Sequence, residues 1–299
     1  MKLVVIFLSV LMLFTFSSLT PISKSPEPVQ CYDPNYVEIS TVTYKKESYS
    51  VVLMRRDGNR VRAKYFAAKD FNGNNVYNRY KDWSQKVGNV ILVSSGTYMD
   101  GSSTPVGLTI DNGIPVNQTL INDRMDALVI VFATGGIVVS NLKDGDLSVS
   151  GGGVDPTRKF NLRKSAIDLS DFMDWAKSQE ATVFQTHLLA YKNNLTISAT
   201  NSSGNSRERR FLAVGKDEEG KIVHVIVHCP QYSSLYDASK KTLDFLNNGK
   251  DMEVTFMINL DTGAQDVFEL HQSDCSINPS IRGTQPLNTA VNLLSYYFQ

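Results

Sequence analysis

An excess of charge of either sign is missing from this chain: across 299 residues, 30 Lys and Arg balance 30 Asp and Glu. Without net charge there is no strong field to recruit nucleic acid or anionic lipid, so a small or neutral partner is expected. Cysteine is scarce, with only Cys31, Cys229 and Cys275. None of them forms a CxxC pair, which argues against a zinc cluster, and three thiols allow at most one disulfide. No HExxH, no GxSxG and no metal-spaced His/Cys cluster occurs among the four histidines and three cysteines. Gly151-Gly152-Gly153 is not followed by a helix opening with Lys-Ser/Thr, so it reads as a turn or link and not as a phosphate loop. With 19 glycines and 10 prolines the composition is neither collagen-like nor linker-like. At 42% hydrophobic residues with no net charge, the chain is not disordered and can bury a sizeable core. It carries no internal repeat and no low-complexity tract.

The first residues differ from the rest. Lys2 supplies a positive charge, residues 3–16 are apolar apart from Ser9 and Thr15, and Ser17, Ser18 and Thr20 precede Pro21. That order is the signature of a secretory signal peptide. A retained anchor is the alternative, but the strongly apolar part is only about 14 residues, against the ~20 that a bilayer span needs. The expected organisation is a signal peptide at 1–19, a polar spacer at 20–36 and one domain at 37–299. Export would place the mature chain where disulfides form. Val29-Gln30 before Cys31 is not the small-residue pattern of lipoprotein sites. Cys229 and Cys275 are expected to be neighbours, with Cys31 on the N-terminal segment. Val225, Ile226 and Val227 lead into Cys229 as a buried strand, which favours a structural over a nucleophilic cysteine although His228 adjoins it.

Short strand-like runs dominate the first half, at 51–54, 61–65, 90–93, 106–110, 128–132 and 137–139. Turns such as Asp57-Gly58-Asn59, Asn72-Gly73-Asn74 and Asp144-Gly145 separate such runs. Helical period appears twice. Leu169, Phe172, Met173 and Ala176 share one face, with Asp168 or Ser170 as cap. Leu235, Ala238, Thr242, Phe245 and Leu246 share another, with Ser233 or Ser234 as cap and Gly249 as stop. A hairpin at 211–227, that helix and an apolar run at 254–260 make a strand–helix–strand unit able to form a crossover. Residues 193–209, rich in Ser and Asn, read as a mobile loop. The fold class is α+β: a mixed, mostly antiparallel sheet with a few packed helices.

Four places could carry chemistry. Asp261, in Asn259-Leu260-Asp261-Thr262-Gly263, ends an apolar strand; it either offers a carboxylate to a pocket or caps its own turn. Asp261-Thr262-Gly263-Ala264 also matches the aspartic-protease motif, but that chemistry needs two such aspartates and the chain has one copy. His187 lies in an apolar setting, where a histidine is commonly a satisfied core residue. Arg209-Arg210 at a strand entrance could fork a phosphate or carboxylate, or face solvent. Ser95-Gly96-Thr97-Tyr98, after a strand, would let a ligand approach the backbone.

The order of these segments from about Val90 to about Phe268 resembles the phosphodiester glycosidase family. Asp261 and Gly263 match that family's Asn-Leu-Asp-Gly-Gly-x-Ser segment, Arg210 its strand-entry arginine, and Gly96 and Tyr98 its Asn-Gly-Gly-Phe/Tyr turn. Thr262, Gln265 and Ser95 depart from the pattern. The resemblance implies one phosphodiester-glycosidase-like domain that hydrolyses the bond between a sugar anomeric carbon and a phosphate diester. It implies Asp261 as the carboxylate, with Arg210 and His187 as phosphate-side cations. Ser95, Gly96, Tyr98, Gln185, Thr262, Gly263, Asp266 and His271 would be substrate contacts, the last two also weaker acid/base candidates. The expected partner is a carbohydrate or sugar phosphate, with no nucleic acid, cofactor or metal site and no stable membrane insertion after signal cleavage. The alternative function is a catalytically silent carbohydrate or sugar-phosphate binder of the same fold.

Overall fold

Alternating and fully apolar runs give the chain its strands, and three short amphipathic stretches give its helices. The computed structural model describes residues 33, 35–56, 60–67, 75–101, 103–145, 147–151, 153–155, 157–199, 206–271 and 282–299. The expected signal peptide, Cys31, Cys275 and the turns at 57–59 and 72–74 lie outside the described residues. The chain runs through β1 (Val37–Tyr44), β2 (Glu47–Arg55), β3 (Val61–Phe66), α1 (Val76–Val87), β4 (Val90–Ser94), β5 (Thr109–Asp111) and β6 (Ile114–Asn117). It continues through β7 (Ala127–Val131), β8 (Ile137–Asn141), β9 (Leu147–Ser148), β10 (Lys159–Phe160), α2 (Ala166–Ser178), β11 (Thr182–Thr186) and β12 (Leu188–Tyr191). It closes with β13 (Asn194–Leu195), β14 (Arg207–Lys216), β15 (Ile222–Ser233), α3 (Leu235–Gly249), β16 (Glu253–Leu260), β17 (Phe268–Leu270) and β18 (Leu293–Phe298).

Among the described residues three larger sheets form: β1-β2-β15-β14-β16-β12-β13, β6-β5-β11-β7-β8 and β17-β4-β18-β3. Their inner faces share one core, where Val52, Leu212, Ile226 and Ile258 of the first sheet meet Val129 and Phe184 of the second and Tyr65, Leu92 and Leu294 of the third. The outer face of each sheet is covered by a helix. α3 packs on Phe211, Ala213 and Val225, α2 on Ile110, Leu128 and Val183, and α1 on Phe66 and Val93. The fold is α+β with mostly antiparallel sheets. β15 and β16 both pair antiparallel with β14, so they run in the same direction on either side of it, and α3 makes the expected crossover.

The caps explain the helix boundaries. Ser234 caps α3 by accepting the Asp237 N–H at 3.0 Å, one of the two serines expected there. α2 begins earlier than expected: Ser165 is its cap, while Asp168 lies in the first turn and accepts from Arg158 and from the Asn161 N–H. α1 sets Val76, Tyr80 and Trp83 at helical spacing on one face, but its other positions are mostly polar, and the sequence reading passes over it. Asn75 caps it, and Gly88 ends it in a left-handed conformation with φ of 71°. The loop expected at 193–209 is shorter, because β13 forms at its start and β14 begins at Arg207. β15 is 12 residues long and gives these charged positions a pairing partner, with Arg207 opposite Ser233 and Arg209 opposite Cys229. Cys229 lies within β15, buried, with Sγ 3.2 Å from Thr242 Oγ1; burial pushes its thiol up to about 12. That is the structural cysteine of the first expectation. Among the described residues no helix is long and apolar enough to cross a membrane.

Candidate functional site

The start of β14 and the end of β16 lie side by side, with Arg210 opposite Leu260 and Phe211 opposite Asn259. The turn after β4 docks there too, since the Asp261 N–H donates to the Gly96 carbonyl at 2.9 Å. On the other flank of β16, the Asn259 N–H donates to the His187 carbonyl at 3.1 Å. Strand ends from across the sheet therefore gather one cluster of polar side chains. Alternation divides it from Arg209 onward, because successive residues of a strand face opposite ways, while Arg207 lies across a β-bulge and reaches the half of Tyr98 and Asp261 by its side chain.

One half holds Asp261, Tyr98, Asn259, His187, Arg207 and Arg209. Asp261 is only 6% exposed. Its Oδ1 accepts the Gly263 N–H at 2.8 Å, so it does cap its own turn. Burial raises its carboxyl above the ordinary carboxylate range and the nearby Asp266 adds to this, while the Gly263 N–H, Arg207 and Arg210 pull the other way. A Cβ on Gly263 would lie 3.0 Å from that Oδ1 and 3.2 Å from Arg207 Nη1, so the bare glycine leaves room for guanidinium and carboxylate to approach. Tyr98 packs edge-on against the His187 ring, with centroids 5.2 Å apart, and its phenol is reached by the Asn259 side chain. Burial raises the phenol, so it is a neutral hydrogen-bond donor, and it feels Arg209, Asp261 and Arg207.

The other half holds Arg210, Asp266, His228 and Glu208. Arg210 is fully enclosed, donates to Asp266 Oδ1 at 2.7 Å and stacks over the Phe268 ring at 4.5 Å. Asp266 Oδ2 accepts the Thr284 N–H at 3.1 Å. His228, opposite Arg210 on β15, is pushed down to about 4 by burial and then by Arg210, and is neutral at pH 7. Glu208 approaches it, with Oε2 3.6 Å from Nε2.

The expected site residues fall into three groups. Asp261, Tyr98, Thr262, Gly263 and His187 lie in or beside the first half. Thr262 is spent on the fold, its Oγ1 donating to the Glu208 carbonyl at 2.8 Å. His187 differs from the expected cation: its Nδ1 lies 2.9 Å from the Arg124 carbonyl, which requires the proton on Nδ1, and burial lowers its pKa, so at pH 7 it is a neutral ring. Arg210 and Asp266 are brought together with the site, but as an internal ion pair. Arg210, expected as a phosphate-side cation, is thus enclosed; Arg207 and Arg209 lie toward Tyr98 instead, Arg209 itself buried with Nε donating to the Ser233 carbonyl at 3.3 Å.

The third group is structural or remote. All four hydrogen-bonding positions of the Gln185 amide are used inside the protein. Oε1 accepts from Leu108 and Ile121 N–H groups at 3.2 and 3.0 Å, and Nε2 donates to the Ile121 and Met125 carbonyls, each at 2.6 Å. Ser95 Oγ donates to the Gln265 carbonyl and accepts the Val267 N–H. At Gly96 the close approach is intramolecular: an added Cβ would meet Tyr65 at 2.5 Å and Asn292 Oδ1 at 2.7 Å. His271 stays away from the cluster, because β17 carries it to the far end of β4, where its Nε2 lies 2.6 Å from Tyr80 Oη on α1. Glu208, Arg207 and Asn292 border the cluster and sequence reasoning left them out, while His228 enters it only beside Cys229. The pairing of β14 with β15 is the signal that brings Glu208 and His228 together. Among the described residues no three His, Cys, Asp or Glu side chains group closely enough to hold a metal ion.

No family model and no curated protein matches this chain. Three solved structures are similar to it at low identity. The catalytic domain of zebrafish N-acetylglucosamine-1-phosphodiester alpha-N-acetylglucosaminidase, auto-inhibited by its pro-peptide, is 16% identical, with a TM-score of 0.48 over 88% of this chain and 82% of that one. A hypothetical protein from Synechocystis is 11% identical, with a TM-score of 0.45 over 88% of this chain and 62% of that one. A Burkholderia pseudomallei protein described as exported is 10% identical, with a TM-score of 0.37 over 84% of this chain and 74% of that one.

Proposed function

We propose that the chain is an exported hydrolase that cleaves the glycosidic bond of a sugar-1-phosphate diester, of the N-acetylglucosamine-1-phosphodiester kind. The observation that carries this reading is the desolvated Asp261 carboxylate beside Arg207, with the neutral Tyr98 phenol near both. Cleavage of such a bond passes through an oxocarbenium-like state, which a carboxylate in a dry site stabilises or attacks. The electron pair of the broken C–O bond leaves on the phosphate, and water supplies the hydroxyl to the carbon and a proton. A phosphate is already a good leaving group, so cations at the strand entrance, Arg207 and Arg209, matter more than a strong acid. Tyr98 and Asn259 supply hydrogen bonds to the sugar. Export rests on the signal-peptide reading of residues 1–19.

The test is to incubate the protein with an N-acetylglucosamine-1-phosphate diester and follow free sugar by chromatography. Release of the sugar together with the phosphomonoester supports the reading. Binding of the diester without turnover would replace it with the silent-binder alternative.

A further inference from the structure

The loop that enters β7 is fastened from beneath and strained at one point. Gln185, fully buried, bonds the N–H and the carbonyl of Ile121 and the carbonyl of Met125. Arg163 Nη2 donates to the same two carbonyls, at 3.4 and 3.2 Å. Between these anchors Arg124 takes a left-handed backbone conformation, with φ of 67°, which a residue with a Cβ adopts only where its surroundings impose it. In that conformation its carbonyl accepts the His187 Nδ1–H at 2.9 Å. The bond fixes the ring and its tautomer, so Nε2 is a bare acceptor with no hydrogen-bond partner among the described residues.

His187 and this loop line one pocket of about 110 Å³, with Ile197 after β13 and Leu235 at the start of α3 on the same wall. Asp126 and Lys143 line it as well. Asp126 is only 4% exposed, and its two oxygens lie 2.7 Å from Lys143 Nζ and 2.7 Å from Arg163 Nη1. Arg124 Nε lies 3.3 Å from Asp123 Oδ2, both on the pocket wall. Each charge on that wall already has its counter-ion, so an incoming ion would be desolvated without a free opposite charge to receive it. A hydroxyl group, which donates and accepts at once, suits the mixture. It can donate to Nε2 and accept from Arg124 or Lys143, while Ile197 and Leu235 take the C–H face. At ~30 Å³ per water, the pocket has room for about three to four waters, the bulk of a three-carbon polyol or of one edge of a sugar ring.

We propose that this pocket binds the vicinal hydroxyls of a neutral polyol, with His187 Nε2 as the acceptor that selects them. The site goes beyond the hydrolase reading and meets it only at His187, whose ring packs edge-on against Tyr98 at 5.2 Å.

The test titrates the isotope-labelled full chain with glycerol and follows by NMR the amides of residues 122–126 and the His187 ring nitrogens. These signals should shift saturably, with a Kd on the order of millimolar for so small a ligand. Propan-1-ol, of equal length but with one hydroxyl, and inorganic phosphate should leave them in place. His187→Phe should raise Kd by about fivefold or more, the net loss of one hydrogen bond. Asn122→Trp, which fills the pocket from its exposed rim, should abolish binding at an unchanged melting temperature. Shifts that do not saturate, that propan-1-ol reproduces or that persist in Asn122→Trp overturn the proposal, and so does phosphate binding more tightly than glycerol. Should His187→Phe not fold, the other titrations decide the matter. With the sugar-1-phosphate diester as substrate, glycerol that raises KM at constant kcat assigns the pocket to hydroxyls of the substrate, and a constant KM assigns it to a free polyol. A chain that binds glycerol but releases no sugar overturns the hydrolase reading and leaves this site standing.

Discussion

Asp261→Asn separates a carboxylate that does chemistry from one that only holds a turn. The asparagine keeps the shape and keeps an oxygen to accept the Gly263 N–H now bonded at 2.8 Å, so a contact worth about 0.5–1.5 kcal/mol survives. What is lost is the charge, and that charge sits in a dry place. Burial raises the folded-state pKa of Asp261, so its contribution to stability is present below the unfolded value of 3.8 and is lost as pH rises through the folded one. At pH 7 the ionised form therefore costs stability, and the variant should melt no lower than the wild type. Removing one preorganised electrostatic group should slow hydrolysis by about 10²-fold or more. Sugar release from the diester and a thermal melt, run on the same sample, decide the matter. An unchanged rate in a fully folded variant, on a substrate that the wild type turns over, would remove Asp261 from the site. A rate that falls only with the folded fraction, alongside a stability loss of ~1 kcal/mol, would reduce it to a turn cap.

Three further outcomes follow from the packing. Arg210→Met strands the buried Asp266 carboxylate and should cost about 3–5 kcal/mol by denaturant titration, whereas a loss below ~1 kcal/mol would deny the ion pair its structural role. Gly96→Ala drives a methyl to within 2.5 Å of the Tyr65 ring and 2.7 Å of Asn292 Oδ1, so it should destabilise by about 1–3 kcal/mol; a neutral result would show that the turn has room to shift. His228 has a folded pKa depressed from 6.5 to about 4, so the stability it contributes is present above 6.5 and lost as pH falls toward 4. That is on the order of 3 kcal/mol, and the pH dependence of unfolding in His228→Gln should be shallower by this amount.

Much of the fold is legible in the sequence because its strands are short apolar runs with clear turns between them. β2, β3, β4, β7 and β16 lie where hydrophobic patterning puts them, and α3 carries its expected serine cap. α1 is hidden because its contact face is built of Val76 and the aromatic Tyr77, Tyr80 and Trp83 in an otherwise polar segment, without the aliphatic run that marks the other helices. The position of Asp261 at a strand end is equally legible. The division of labour among the arginines is not, because it depends on which face of β14 each residue takes and on pairing with His228 and Leu260, both distant in sequence. Gln185 and Ser95 show the same limit: a polar residue near a glycine turn reads as a ligand contact until the backbone groups that consume it are in view. His271 differs only because β17 leads away from the cluster.

The most direct measurement is the product of a single incubation: the wild-type chain with an N-acetylglucosamine-1-phosphate diester, analysed for free sugar and phosphomonoester beside Asp261→Asn. The expected result is release of both products in equal amounts by the wild type and at least ~10²-fold less by the variant. Intact diester in both samples, with the wild-type protein folded, would contradict the hydrolase reading.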